Sequence, residues 1–154
     1  MFDLALIHPM LVHFPLVLIP LAVVLDWLAV AQGEDLAKWR GLARLSLVTW
    51  GLGAAFAVLA AMFGDLALDA AVGKGFPVAP LDRHETFGYT TMWLLIGLSA
   101  LRFLFAWRRL PLRGGRRAAI ALGGTLAVAV LITTAFYGGE LVYSLGVNVA
   151  AVQP

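Results

Sequence analysis

Apolar residues run almost without interruption through four stretches of this chain, and polar residues collect in the gaps between them. The stretches cover residues 9–31, 42–63, 86–107 and 118–138. Each is about 20 residues long, enough for a helix to cross a hydrocarbon core of about 30 Å. No alternation of period two runs through them, so the pattern predicts an all-α protein. The gaps are 32–41, a longer stretch at 64–85, and 108–117, with an apolar tail at 139–154. Short connections favour antiparallel neighbours, which predicts an up-down-up-down four-helix bundle in a single transmembrane domain.

Composition supports the membrane assignment. Of the 154 residues, 62% are hydrophobic and 13% charged. Ordinary soluble domains are about 45–50% apolar and about 25% charged. Cysteine is absent, which excludes disulfides, thiolate metal sites and covalent c-type haem. The first three residues, Met1-Phe2-Asp3, lack the positive region of a secretory signal, so the first run is read as a permanent span.

Charge sets a direction. The 32–41 and 108–117 gaps and the adjoining helix ends carry nine basic and three acidic residues, counting Asp26 and Arg102. The other side carries two basic and six acidic residues. The positive-inside rule places the basic side in the cytoplasm. Both termini and the 64–85 loop then face the periplasm of a bacterial inner membrane. The basic residues sit where topology wants them, so the net charge of +2 does not point to nucleic acid.

Two charges interrupt the apolar runs. Asp26 lies 17 residues after Pro9 and Arg102 lies 17 after Glu85, so both are about 25 Å from the outer surface at 1.5 Å per residue. Matched depth predicts a structural ion pair, because an unpaired charge in the bilayer is costly. Gly53, Ala57 and Ala61, and Ala119, Gly123 and Ala127, form small-residue stripes that suit close helix packing. Each half of the chain is a hairpin with histidine at its outer start, the pattern of a distant repeat.

Histidines 8, 13 and 84 are the only three in the chain, and topology brings them to one face. Imidazole is the commonest neutral metal ligand. Two histidines from different helices can hold haem b from both sides. His13 and His84 are the preferred pair, with His8, before Pro9, as a cap or second partner. Gly64, Gly88, Gly138 and Gly139 would give a macrocycle room, and Arg83 could pair a propionate. The alternatives are zinc on the three histidines, copper on His8, Met10 and His13 with Met62 or Met92, or no cofactor. No nucleophile elbow or phosphate-binding glycine loop is present, so a non-catalytic subunit fits better than an enzyme. The apolar tail at 139–154 suits either a position along the membrane interface or packing beneath the 64–85 loop, which would act as a lid.

Three segments carry a resemblance: His8-Pro9-Met10-Leu11-Val12-His13-Phe14-Pro15, then His84-Glu85, then Tyr137-Gly138-Gly139-Glu140-Leu141-Val142-Tyr143. Over nearly its whole length the chain resembles domain-of-unknown-function family 2231, uncharacterised bacterial inner-membrane proteins. The resemblance implies four spans and an outward-facing histidine set. It also implies a setting among redox subunits, since relatives occur joined to Rieske or cytochrome c domains, which favours electron transfer in a larger assembly or a homo-oligomer. Relatives often carry histidine just after the Leu-Val-Tyr segment; here that residue is Leu145.

Overall fold

The computed structural model describes residues 6–149. Among these residues it is helical throughout, with no strand. A short helix α1 (Ile7–Leu11) leads into α2 (His13–Ala31), followed by α3 (Gly41–Gly73), α4 (Val78–Trp107) and α5 (Gly115–Tyr143). Counting α1 and α2 together, four segments are long and apolar enough to cross a membrane. Only 22% to 39% of the most apolar stretch of each is buried, so most of their apolar surface faces outward. Residues such as Val17, Leu52, Phe103 and Leu126 are exposed. A soluble monomer rarely shows an apolar belt of that extent.

The break between α1 and α2 falls at Val12. Pro15 has no N–H to give to Leu11, and Pro20 none to give to Leu16. Pro9 is tolerated because first-turn N–H groups have no helical partner. The expected start at Pro9 is late by two residues: the helix begins at Ile7, and His8 belongs to it.

The larger difference concerns the 64–85 gap. No long loop exists there: α3 continues to Gly73 and α4 begins at Val78. Asp65 and Asp69 end the hydropathic run but not the helix. Ala67 and Ala71 are buried at helical spacing and keep one face packed. What stops α3 is Gly75, at φ +85°. There the Phe76 N–H reaches back to the Ala71 carbonyl at 3.2 Å, the Schellman closure. Pro77 then resets the chain for α4. The tail does pack beneath this turn: Phe76, Leu81, Leu141 and Val147 are buried together, with Leu68 and Leu145 against them.

Neighbouring helices pack in a ring, α2 on α3, α3 on α4, α4 on α5 and α5 on α2. The pairs α2/α4 and α3/α5 therefore lie on the diagonals. The middle core joins Ile19, Ala22, Val23, Trp50, Leu95 and Leu131. Two glycines decide its tightness. A Cβ on Gly53 would stand 2.5 Å from Ile19 Cδ1, and one on Gly124 would stand 3.0 Å from both Trp50 and Val23. On α5 the close approach is thus at Gly124 rather than Gly123, and Ala119 of the expected stripe is exposed.

Beyond this core lies a polar cluster with no solvent access. Asp26 and Arg102 are both 0% exposed, and Arg102 Nη1 lies 2.8 Å from Asp26 Oδ1. Trp50 Nε1 donates to Asp26 Oδ2 at 2.9 Å. The Ser46 hydroxyl accepts from Arg102 Nη1 at 2.8 Å, and its own proton goes to Asp26 or to the Ala22 carbonyl. Asp26 thus accepts from both Arg102 and Trp50. Arg102 Nε is buried with no partner.

At the basic end, Asp35 ties the two connections together. Its carboxylate accepts from the Leu112 and Ala37 backbone N–H groups and from Arg113 Nε, at 2.9, 3.1 and 2.9 Å. Burial alone would raise its pKa, but those hydrogen bonds and the Arg113 charge outweigh it and hold the pKa below the usual aspartate value. Stability from this carboxylate is present above the unfolded-state pKa and is lost as pH falls through the folded one. Acid should therefore loosen the 32–40 and 108–114 connections first. The protection of the Ala37 and Leu112 amides against hydrogen exchange, relative to the unfolded chain, should decline below about pH 4, and D35N should show low protection there already at neutral pH.

Removal of one partner of the buried pair should cost about 3–5 kcal/mol. Thermal unfolding in mild detergent should show D26A and R102A strongly destabilised and D26L/R102M closer to wild type. A double variant as unstable as the singles would contradict a simple charge-compensation role.

Candidate functional site

His8 and His84 meet at the bundle end opposite the Asp35 staple. Their ring centroids are 6.0 Å apart with an interplanar angle of 81°. His8 comes from α1, at the start of the first span, and His84 from the second turn of α4, so the pair closes the same diagonal as Asp26 and Arg102. His8 Nδ1 lies 2.7 Å from the Ala60 carbonyl on α3. His84 Nδ1 lies 3.2 Å from the Thr134 carbonyl on α5. A carbonyl only accepts, so both Nδ1 atoms carry the proton. In the neutral imidazole each Nε2 is then a bare lone pair.

Each ring also rests on a glycine one turn beyond its carbonyl. A Cβ on Gly64 would stand 3.2 Å from His8 Cε1, and one on Gly138 would stand 2.9 Å from His84 Cε1. Both hairpins thus use one device: histidine on the first helix, and a carbonyl with a glycine four residues later on the second. The correspondence continues inward. Asp26 follows His8 by 18 residues, and Arg102 follows His84 by 18. A second polar contact lies nearby, where the Thr91 and Thr134 hydroxyls are 2.7 Å apart.

His13 is not part of this pair. Its ring is exposed, and Nδ1 donates to the Pro9 carbonyl of its own turn at 2.6 Å. Five residues from His8 on a helix is about 140° around the axis, so the two rings cannot face one partner. The structure brings His8, and not the expected His13, to His84. Among the described residues no three His, Asp or Glu side chains converge as a metal site, so the three-histidine zinc arrangement does not form. Met10 and Met62 are exposed and Met92 is buried.

The surrounding residues divide. Arg83 places its guanidinium 5.5 Å from the Tyr137 ring centre, and Phe87 packs on the same ring at 5.0 Å. Gly64 and Gly138 hold the imidazoles themselves rather than leaving room for another group. Gly88 has nothing within 4 Å of its Cβ position, so open space lies beside α4 one turn from His84. Gly139 contacts Tyr143. Leu145 packs in the apolar cluster under the α3–α4 turn. The residues that sequence reasoning missed are Ala60 and Thr134, which meet the two imidazoles through their carbonyls. The glycines four residues beyond them are the one trace they leave in the sequence.

Four apolar helices around two diagonal polar pairs define a multi-span membrane protein with a histidine pair at one end. The chain belongs to the DUF2231 family, described as predicted membrane protein, whose model matches residues 5–151. No curated protein and no solved structure matches the chain.

The glycine contacts make a sharp prediction. G138A should destabilise the protein by about 1–3 kcal/mol, the usual cost of overpacking, because the His84 ring must move. In an H84A background the same change should cost little, as read by thermal unfolding in detergent. Equal cost in both backgrounds would show that Gly138 serves α5 itself rather than the ring.

Proposed function

We propose that this protein holds haem b at its histidine end, with His8 and His84 as the axial pair, and serves electron transfer within a larger redox assembly. The observation that carries this reading is the meeting of two imidazoles from diagonal helices, each with Nδ1 bound to a backbone carbonyl. That second partner fixes ring orientation and leaves Nε2 for a metal, the usual arrangement behind histidine ligands. The two rings are close enough, at 6.0 Å between centres, that His8 and His84 would be the residues to hold the group. The open space at Gly88 lies on the ligand-bearing helix, one turn from His84.

When bound, haem b supplies reversible one-electron chemistry. The chain's own contribution is to hold two neutral imidazoles in place with little reorganisation. The charge asymmetry supports an up-down-up-down crossing of a bacterial inner membrane, with both termini and the histidine pair on the periplasmic side. Partners would be other membrane redox subunits.

A second reading, a cofactor-free accessory subunit, is favoured by how completely each imidazole is already held by a carbonyl and a glycine. One spectrum separates the two. Protein purified in mild detergent after expression with ample haem should show a Soret band and, after dithionite, a reduced α-band. H8A and H84A should each lower haem occupancy at least about tenfold, and H13A should leave it unchanged. Absence of both bands in the wild-type protein supports the accessory-subunit reading and sinks the haem one.

A further inference from the structure

At the opposite end, a cleft of about 580 Å³ opens between the 32–40 connection, the start of α3 and Arg113. Two carboxylates and three cations line it, but the carboxylates are committed. Asp35 is occupied by two backbone N–H groups and by Arg113. Glu34 Oε2 accepts the Ala43 N–H at 3.1 Å, closing the start of α3. Its Oε1 lies 2.7 Å from where a Cβ on Gly41 would stand. Gly41, at φ +58°, is the residue that permits this approach.

The remaining charge is positive. Lys38 and Arg40 are exposed and join no ion pair among the described residues. The Arg113 side chain is 64% exposed even while its Nε holds Asp35. Arg117 reaches the rim, where its Nη1 donates to the Glu34 carbonyl at 3.2 Å.

The cleft also lies at a defined depth. Trp39, between Lys38 and Arg40, is 57% exposed, with the Arg44 guanidinium 5.8 Å from its ring centre. Trp107, at the end of α4, is likewise exposed beneath Arg108. Exposed indoles beside cations mark the level of lipid headgroups. Leu45 and Val48 lead from that level along the apolar flank of α3 and are exposed. A concave cationic site continuous with an apolar flank fits a phosphate diester carrying acyl chains better than a free anion.

We propose that this cleft binds the headgroup of one anionic phospholipid, with Lys38, Arg40 and Arg113 facing the phosphate and α3 receiving an acyl chain. The proposal is independent of the histidine pair and of any cofactor there. The two faces of a cell membrane both contain such lipids, so it does not depend on orientation.

Native mass spectrometry of the delipidated, detergent-purified chain tests it with three probes: phosphatidylglycerol, phosphatidylcholine of the same acyl chains, and inorganic phosphate. The wild-type protein should retain one phosphatidylglycerol at least about tenfold more tightly than phosphatidylcholine. K38Q/R40Q should weaken that retention by about fivefold per cation removed. R108Q/R109Q removes the same charge from the same end, outside the cleft, and should leave retention unchanged. Equal losses in the two variants would reduce the effect to general surface charge and overturn the site. Equal retention of the two lipids would overturn it as well. Full displacement of the lipid by millimolar inorganic phosphate would reassign the cleft to a free anion.

Discussion

A carboxylate and a guanidinium with no access to water hold this structure across its diagonal. Asp26 and Arg102 come from helices that share few backbone approaches, yet their side chains touch at 2.8 Å. In an apolar interior each charge alone would cost several kcal/mol, so every competing arrangement that separates them is penalised. Ser46 and Trp50 on α3 complete the donor set. The fourth helix, α5, brings no polar group to this cluster. It supplies the absence of one, since Gly124 lets the Trp50 indole reach inward.

The histidine pair uses the same diagonal with the same spacing. Equivalent positions in the two hairpins carry Asp26 and Arg102 at one level and His8 and His84 at the other. Identical residues suit the histidine level, because two neutral imidazoles can share a space or an ion. Opposite residues are required at the charged level, because two like charges there could not both be buried. A structure of two similar halves thereby places one symmetric pair and one complementary pair on its central axis. Any group held by the histidines would sit where the two halves meet.

Much of this was legible in the sequence. The four helices follow from apolar runs whose lengths match a membrane. The contact of Asp26 with Arg102 follows from matched depth and from the cost of leaving either alone. The histidine partner did not follow. Reading Pro9 as a helix start put His8 outside the helix and favoured His13, yet the helix begins at Ile7 and turns His13 outward. The 64–85 gap was read as a loop because hydropathy falls at Asp65. Helix formation depends on backbone hydrogen bonds and one packed face, and both continue to Gly73.

The sequence by itself determined how many membrane-long apolar segments there are, their apolar character and the matched depth of Asp26 and Arg102 along them. Periodicity, length and charge are properties of the chain taken one segment at a time. Only the tertiary structure decided which faces meet. Rotation of each helix about its axis is set by the fit of Ile19 against Gly53, Trp50 against Gly124 and His84 against Gly138. Those contacts join residues between about thirty and more than seventy positions apart, and no local pattern specifies them. The same packing turned His8 inward and His13 outward, although both stand in one short segment.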